Sequence, residues 1–309
     1  MSSSANGQNM QQRRKRHHAV AVRLLERFTQ PTGLLWQHMR GGTAPREVHP
    51  TDAAVEKYLY ALGVGDDPYD DSIEVWLADN VDGPAAELIR KLIADGSLKG
   101  TDREHFAFVL AVQELRIPRT RDMVKRALAE IGTRMLQLTA THDSESIKTA
   151  AVEMGIELDD QEFGALVERY RTGDVSLTPT KVSWIESMAV ADDVAPLVAA
   201  LAWTVVDAPK GLDFVTSDAP VVKMATDPRI AASVQGVGWI TPSAEITFPL
   251  DPRHVLLIRQ GIGDDRIRGT PSWCRSVNVR TVRECYHFVY SRSREPFVEQ
   301  IWNKFSPKR

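Results

Sequence analysis

The spacing of apolar residues divides the chain into a helical stretch and a strand-rich one. From about residue 51 to 206, apolar side chains recur every three to four positions, the period of helices with one buried face. Trp76, Leu77, Ala85, Leu88 and Ile89 form the first such pattern, interrupted by Gly83-Pro84. Phe106, Val109, Leu110 and Ile117 form the next. Thr101-Asp102-Arg103-Glu104 reads as its capping box, and Pro118 as its end. Thr120 opens a helix with Met123, Ala127, Leu128, Ile131, Met135 and Leu138 on one face. Asp160 opens another with Phe163, Leu166, Val167 and Tyr170, and Thr178-Pro179 a third with Val182, Ile185 and Met188. The apolar run 194–206, led by Asp193, predicts the most buried helix.

At Asp207 the period changes. Proline and glycine punctuate short runs of β-branched and aromatic residues: Phe214-Val215, Val221-Val222, residues 246–248 and residues 255–258. These predict a mostly antiparallel sheet over about 207–262. Helical spacing returns over 277–289, and Pro296 opens a last helix with Phe297, Ile301, Trp302 and Phe305. Near the start, Val20, Leu24, Leu25 and Phe28 predict a helix, and Leu34-Leu35-Trp36 a short strand. Residues 1–12 are small, polar and aperiodic, and with the basic residues 13–15 they read as a disordered tail over 1–15. The fold class that follows is α+β: a helical layer on a smaller, mostly antiparallel β-sheet, with residues 16–309 expected as one compact domain.

Composition changes this picture little. The 309 residues are 43% hydrophobic and 26% charged, with a net charge of −3, so bulk attraction to nucleic acid or anionic membranes is excluded. The charge is uneven: Arg13, Arg14, Lys15 and Arg16 make the N-terminus basic, and residues 66–74 are acidic. Two cysteines make no disulfide framework, and the opening residues lack an apolar leader, so a reducing cytoplasm is expected. The longest apolar run is shorter than the roughly 20 residues that cross a bilayer, so no membrane is expected as a partner.

The chemistry concentrates in residues 213–223, a strand, polar turn and strand centred on Asp218. Asp218 at a strand edge reads as a metal ligand or general base; the competing reading is an Asx-turn before Pro220. Ser217 lacks the strand–elbow–helix setting of a hydrolase nucleophile. Glu245 and Lys223, with Asp218 and one of His17 or His18, compose a divalent-metal site for phosphodiester cleavage. His17 and His18 are adjacent, so on a strand they face opposite ways, and His18 is the one assigned to catalysis. Gln113 interrupts an apolar helix face, either bracing a backbone carbonyl or serving a site. Arg116 beside it wants a carboxylate, and Asp218 is the expected partner. No phosphate-binding glycine loop, Cys-x-x-Cys or His-Glu-x-x-His motif occurs.

Several segments in order resemble one family. They are Arg16-His17-His18-Ala19-Val20-Ala21, Leu24-Leu25-Glu26-Arg27-Phe28, Gly33-Leu34-Leu35-Trp36 and Glu74-Val75-Trp76-Leu77. Gln113-Glu114-Leu115-Arg116-Ile117-Pro118-Arg119 and Phe214-Val215-Thr216-Ser217-Asp218-Ala219-Pro220-Val221 follow. Ile246-Thr247-Phe248-Pro249-Leu250-Asp251-Pro252, Asn278 and Tyr290-Ser291 complete the set. Together they resemble the domain of unknown function 4238 family, bacterial and viral proteins for which the resemblance implies no reaction. Ala19, Ala21 and Ala219 stand where that family carries Tyr, Pro and Asn. Three functions remain open: a metal-assisted hydrolase or nuclease; a nucleic-acid or protein binding module; and a structural partner in a defence or mobile-element system. The binding module would use residues 13–16 with Arg280, Arg283, Arg292, Arg294, Lys304 and Lys308.

Overall fold

The computed structural model describes residues 16–42, 44–57, 59, 62–64, 67–70, 72–175, 177–232, 236–261 and 263–305. The expected tail, the basic residues 13–15 and Lys308 lie outside the described residues. In chain order the elements are β1 (Arg16–His18), α1 (Val22–Glu26), β2 (Leu35–Met39), β3 (Arg46–Val48), β4 (Val55–Lys57), β5 (Leu62–Val64) and β6 (Asp67–Asp70). Next come α2 (Ser72–Leu77), a π-helical turn (Ala78–Asp82), α3 (Gly83–Asp95), α4 (Gly100–Leu115), α5 (Pro118–His142), α6 (Ser144–Glu153), α7 (Asp160–Thr172), α8 (Lys181–Ser187) and α9 (Val190–Ala199). Then follow β7 (Ala202–Asp207), β8 (Thr216–Ser217), β9 (Val222–Ala225), α10 (Pro228–Ala231), β10 (Ala244–Asp251), β11 (His254–Arg259), β12 (Asp265–Arg268), α11 (Pro271–Glu284), β13 (Phe288–Ser291) and α12 (Pro296–Phe305). The α+β class holds, and no helix among the described residues is long and apolar enough to cross a membrane.

The contacts of the described residues group into two compact units, one within residues 16–118 and 188–305 and the other within 119–187. The smaller unit is helical and has a core of Ala140, Ile147 and Val167, with Phe163 and Tyr170 packed against it. Asp159 and Glu162 form its capping box, one residue before the predicted cap. On α5, Met123, Leu128, Ile131, Met135 and Leu138 are exposed.

In the larger unit a five-stranded sheet has the order β12-β7-β11-β10-β9, antiparallel except for the β12–β7 pair. Side chains alternate between its faces. On one face Phe106 of α4 meets Trp203 and Phe248 edge-on, at centroid separations of 5.9 and 6.1 Å. On the other, Val206, Val255 and Leu257 pack against Cys274 and Val277 of α11. A four-stranded sheet, β3-β2-β13-β8, lies beyond, and Val282 and Cys285 of α11 join Val289 and the α12 residues Val298 and Trp302 in a second core. Helix α11 thereby contributes to both cores.

Four boundaries differ from the sequence pattern. Strands β4, β5, β6 and β7 fall inside the stretch expected to be helical. The apolar run 194–206 is the end of α9 and β7 except its last residue, Asp207, with a turn at residues 200–201. Helix α4 starts at Gly100 behind an uncapped Lys99, so Thr101 and Glu104 are helical residues rather than a capping box. The segment 277–289 is helix only to Glu284 and then becomes β13. The stripe Phe106, Val109, Leu110 and Ile117 is buried as expected.

Phe106 fills the space between α4 and the sheet, so Phe106→Ala should destabilise the chain by about 3–5 kcal/mol. Urea denaturation measures this; a loss below about 1 kcal/mol would show that the helix–sheet interface closes over the cavity.

Candidate functional site

Asp218 acts as a clamp on backbone. Its Oδ1 accepts from the Tyr286 amide at 2.8 Å, and its Oδ2 accepts from the amides of His287 and Phe288 at 2.6 and 2.9 Å. The Asp218 amide donates in return to the Phe288 carbonyl at 3.1 Å. The local turn belongs to Ser217, whose Oγ accepts from the Ala219 amide at 3.1 Å. The expected Asx-turn is therefore a serine turn, and the aspartate reaches across to the entry of β13. Burial pushes the Asp218 carboxyl up, while the amides of His287, Tyr286 and Phe288 oppose that. Burial and the nearby Asp218 charge push the Cys285 thiol up to about 12 and raise the Tyr290 phenol as well.

The expected Arg116–Asp218 pair does not form. Arg116 is fully buried and directs its Nε and Nη2 to Gln113 Oε1, at 3.1 and 2.5 Å. Its Nη1 lies 2.8 Å from Asp82 Oδ1, close enough for an ion pair but out of hydrogen-bond alignment. The π-helical turn delivers Asp82 to that position. Gln113 Nε2 donates to the Ala19 carbonyl at 2.9 Å, so this glutamine braces a backbone carbonyl.

That carbonyl follows the histidine strand. β1 pairs with β4, placing His17 opposite Glu56 and His18 opposite Val55. His17 is fully buried, whereas His18 is half-buried with Nδ1 3.3 Å from the Ala53 carbonyl. Ala54 takes a left-handed φ of 52°, uncommon for alanine. It is held there by its amide donating to Tyr290 Oη at 2.9 Å and its carbonyl accepting from the Ala19 amide at 3.0 Å. The structure thus gathers His18, Gln113, Arg116 and Tyr290 around one strand junction inside the protein.

Glu245 and Lys223 are separated by the pleat. Lys223 lies opposite Ile246, and Glu245 lies opposite Met224, so the two side chains leave opposite faces of the sheet. Lys223 pairs with Glu114 of α4 and sits 5.4 Å from the Trp239 ring. Glu245 accepts from Arg280 of α11 at 2.8 Å. Among the described residues, no three His, Cys, Asp or Glu side chains form a group that could hold a metal, so Asp218, His18 and Glu245 do not make one.

Clefts of about 780, 710, 500 and 480 Å³ among the described residues are lined by other residues. The 710 Å³ cleft holds the cations Lys210, Arg253, Arg268 and Arg292 and the acids Asp213 and Glu295. Arg253 is fixed by the carbonyls of Ala208, Pro209 and Leu212. Asp213 lies between two of the arginines: Oδ1 is 3.4 Å from Arg253 Nη1, and Oδ2 accepts from Arg292 Nη2 at 2.6 Å. Asn278 holds the Asp213 segment, donating to the Asp213 carbonyl at 2.8 Å and accepting from the Val215 amide at 3.2 Å. Of the cleft's four cations only Arg292 was singled out in the sequence; Asp213 was noted only as the first residue of the 213–223 stretch. The cleft residues are scattered over four segments, and nothing in their local spelling links them.

Beside the cleft, Asp251 closes the β10–β11 turn. Its Oδ1 accepts from the amides of Arg253 and His254 at 2.6 and 2.9 Å, and the His254 ring contacts both carboxylate oxygens. Burial works to raise the Asp251 carboxyl. Hydrogen bonding to His254, the His254 charge, the Arg253 amide and Arg27 outweigh it and hold the carboxyl below its ordinary range.

Two measurements test these roles. Asp218→Ala strands three buried amide donors and should cost upwards of about 3 kcal/mol, while Asp218→Asn turns an amide NH₂ toward backbone N–H groups and should cost about 1–3 kcal/mol. Urea denaturation of both checks this; a neutral Asp218→Ala would remove the clamp. A carboxyl with a depressed folded-state pKa stabilises the fold above its unfolded value, and that stability is lost as pH falls through the folded value. Asp251→Asn should therefore have a flatter stability–pH curve than the wild type at acid pH, below the ordinary carboxylate range. Parallel acid curves would show that Asp251 does not contribute to that dependence.

No curated protein matches this chain, and no solved structure does. A family model described as a protein of unknown function, DUF4238, matches residues 16–295, and the chain belongs to that family.

Proposed function

We propose that this chain is a nucleic-acid-binding module that does not cut its ligand. The observation that carries the reading is charge segregation. The whole chain has a net charge of −3, yet residues 253–305 hold ten Lys and Arg against five Asp and Glu. Arg259, Arg268, Arg275, Arg283, Arg294 and Lys304 of this stretch are exposed. Exposed cations concentrated in one stretch of an otherwise acidic protein favour contact with a polyanion there. Phe305 adds a half-exposed ring with the Arg283 guanidinium 4.6 Å and the Lys304 ammonium 5.7 Å from its centroid. An aromatic face beside cations suits an unpaired base stacked above a contacted backbone.

The non-cutting half rests on the acids. Metal-assisted cleavage through Asp218, His18 and Glu245 needs convergent, available carboxylates. Here both Asp218 oxygens accept backbone amides, and Glu245 is paired with Arg280.

Fluorescence anisotropy with labelled single-stranded DNA and RNA tests the binding, and electrophoresis of the same strands after incubation with Mg²⁺ or Mn²⁺ tests their integrity. The expected result is binding that weakens steeply with salt and leaves strands whole. Absence of binding at low salt removes the reading; cleavage by the purified chain overturns its non-catalytic half.

A further inference from the structure

The cleft at the end of the five-stranded sheet has a chemistry of its own. It is built where four segments meet: the loop leaving β7 (Lys210, Asp213), the β10–β11 turn (Arg253), the end of β12 (Arg268) and the turn between β13 and α12 (Arg292, Glu295). Four cations face two carboxylates. One carboxylate, Asp213, is shared by Arg253 and Arg292, and the other, Glu295, accepts from the Ser293 hydroxyl at 2.7 Å. The side chains of Lys210 and Arg268 are exposed and have no hydrogen-bond or ion-pair partner among the described residues. The cleft therefore keeps a surplus of positive charge. Part of it is immobile, because Arg253 is tied to three carbonyls, and part of it is on side chains that are available.

We infer that this cleft is a phosphate-binding site, and that the phosphate it takes is that of a nucleic-acid backbone. The donor set fits the ligand. Guanidinium forks match phosphate oxygens in pairs, and an ammonium adds a mobile point charge. Arg268 and the remaining N–H groups of Arg292 are the forks that can donate, while Arg253, whose Nη atoms already donate to carbonyls and lie against Asp213, adds fixed positive charge. Arg292, held by Asp213, carries its orientation into the complex, which lowers the ordering cost of binding. The volume of about 710 Å³ admits a phosphate group with its sugar, whereas a lone ion would leave most of it to water. The partial neutralisation by Asp213 and Glu295 favours a site that holds a backbone and releases it over one that traps a small anion. This inference rests on the nucleic-acid reading and adds to it the place and the group that is recognised.

Lys210→Ala and Arg268→Ala, singly and together, test it in the full-length chain. Both residues are exposed and unpaired, so the variants should keep the wild-type thermal unfolding curve, and Arg126→Ala in the smaller unit serves as a control for loss of a surface cation. Anisotropy with single-stranded DNA should show the double variant weakened by about tenfold or more at moderate salt, with its log K against log salt plot flattened by about 1.4. Arg126→Ala should match the wild type. If the wild type binds the strand and the double variant binds equally well with the same slope, the cleft assignment is overturned while the binding reading stands. Inorganic pyrophosphate, titrated by calorimetry, separates the sources. Pyrophosphate binding that disappears in the double variant, in a protein that binds no strand, would keep the phosphate site and overturn its nucleic-acid source. A protein that binds neither overturns both.

Discussion

One carboxylate gripping three consecutive amides holds the larger unit in register. Asp218 leaves the end of β8 and closes over Tyr286, His287 and Phe288, where α11 gives way to β13. That is a costly place to leave polar groups without partners, because the chain changes from helix to buried strand within a few residues. By satisfying the amides, Asp218 fixes where β13 begins. β13 in turn runs between β2 and β8, so its first residue sets the alignment of all three. Two residues on, Tyr290 reaches out of the same strand to hold the Ala54 amide and the strained turn beside the histidine strand. Further on, the chain leaves β13 at Arg292, which forms a wall of the basic cleft.

The alternation of the five-stranded sheet explains why acid, lysine and glutamate near each other in the chain do not form one site. Two charged residues on β9 and β10 commit to different helices. Lys223 goes to Glu114 on α4, and Glu245 goes to Arg280 on α11. Each pair is half-buried between the sheet and a helix, where a lost partner leaves a poorly solvated charge. These ion pairs therefore fix how α4 and α11 lie on the sheet. A nuclease-like arrangement of the same residues would require the sheet to expose both faces to one substrate, and the two helices prevent that.

Where the sequence was readable, a local rule coincided with the tertiary environment. The α4 stripe is buried because its period matches a single packed face. Gln113, the polar residue on that face, found a backbone carbonyl, as a satisfied buried amide must. The sequence was misleading where an apolar run has no period. Residues 194–206 are equally consistent with a buried helix and a buried strand, and the chain uses them for both, turning at Ala200 and Leu201 before β7. In 277–289 a period was present and misled: Tyr286 and Val289 continue a helical spacing although the helix ends at Glu284 and the amides of 286–288 go to Asp218. Capping at Thr101 failed for another reason: the helix starts at Gly100, with φ +53°, two residues earlier than a Thr101 cap would place it, and leaves Thr101 inside it. The cleft was unreadable in principle, since its cations come from positions 210, 253, 268 and 292 and meet only through the sheet topology.

The cleft also shows why net charge is a poor guide to what this chain attracts. A phosphate approaching to within a few ångströms responds to the groups inside about one Debye length, roughly 8–10 Å at physiological salt, and the acidic remainder of the chain is largely screened beyond that. Within that radius Asp213 has a double effect. It cancels part of the positive charge, yet its contacts with Arg253 and Arg292 keep both guanidinium groups in place. Without Asp213 the cleft would be more positive but looser, since Arg292 would lose its ion-pair partner and the ordering cost would fall on the ligand. The arrangement exchanges some attraction for a preset shape. The clamp at Asp218 contributes to that shape from a distance, because it fixes the strand from which Arg292 emerges.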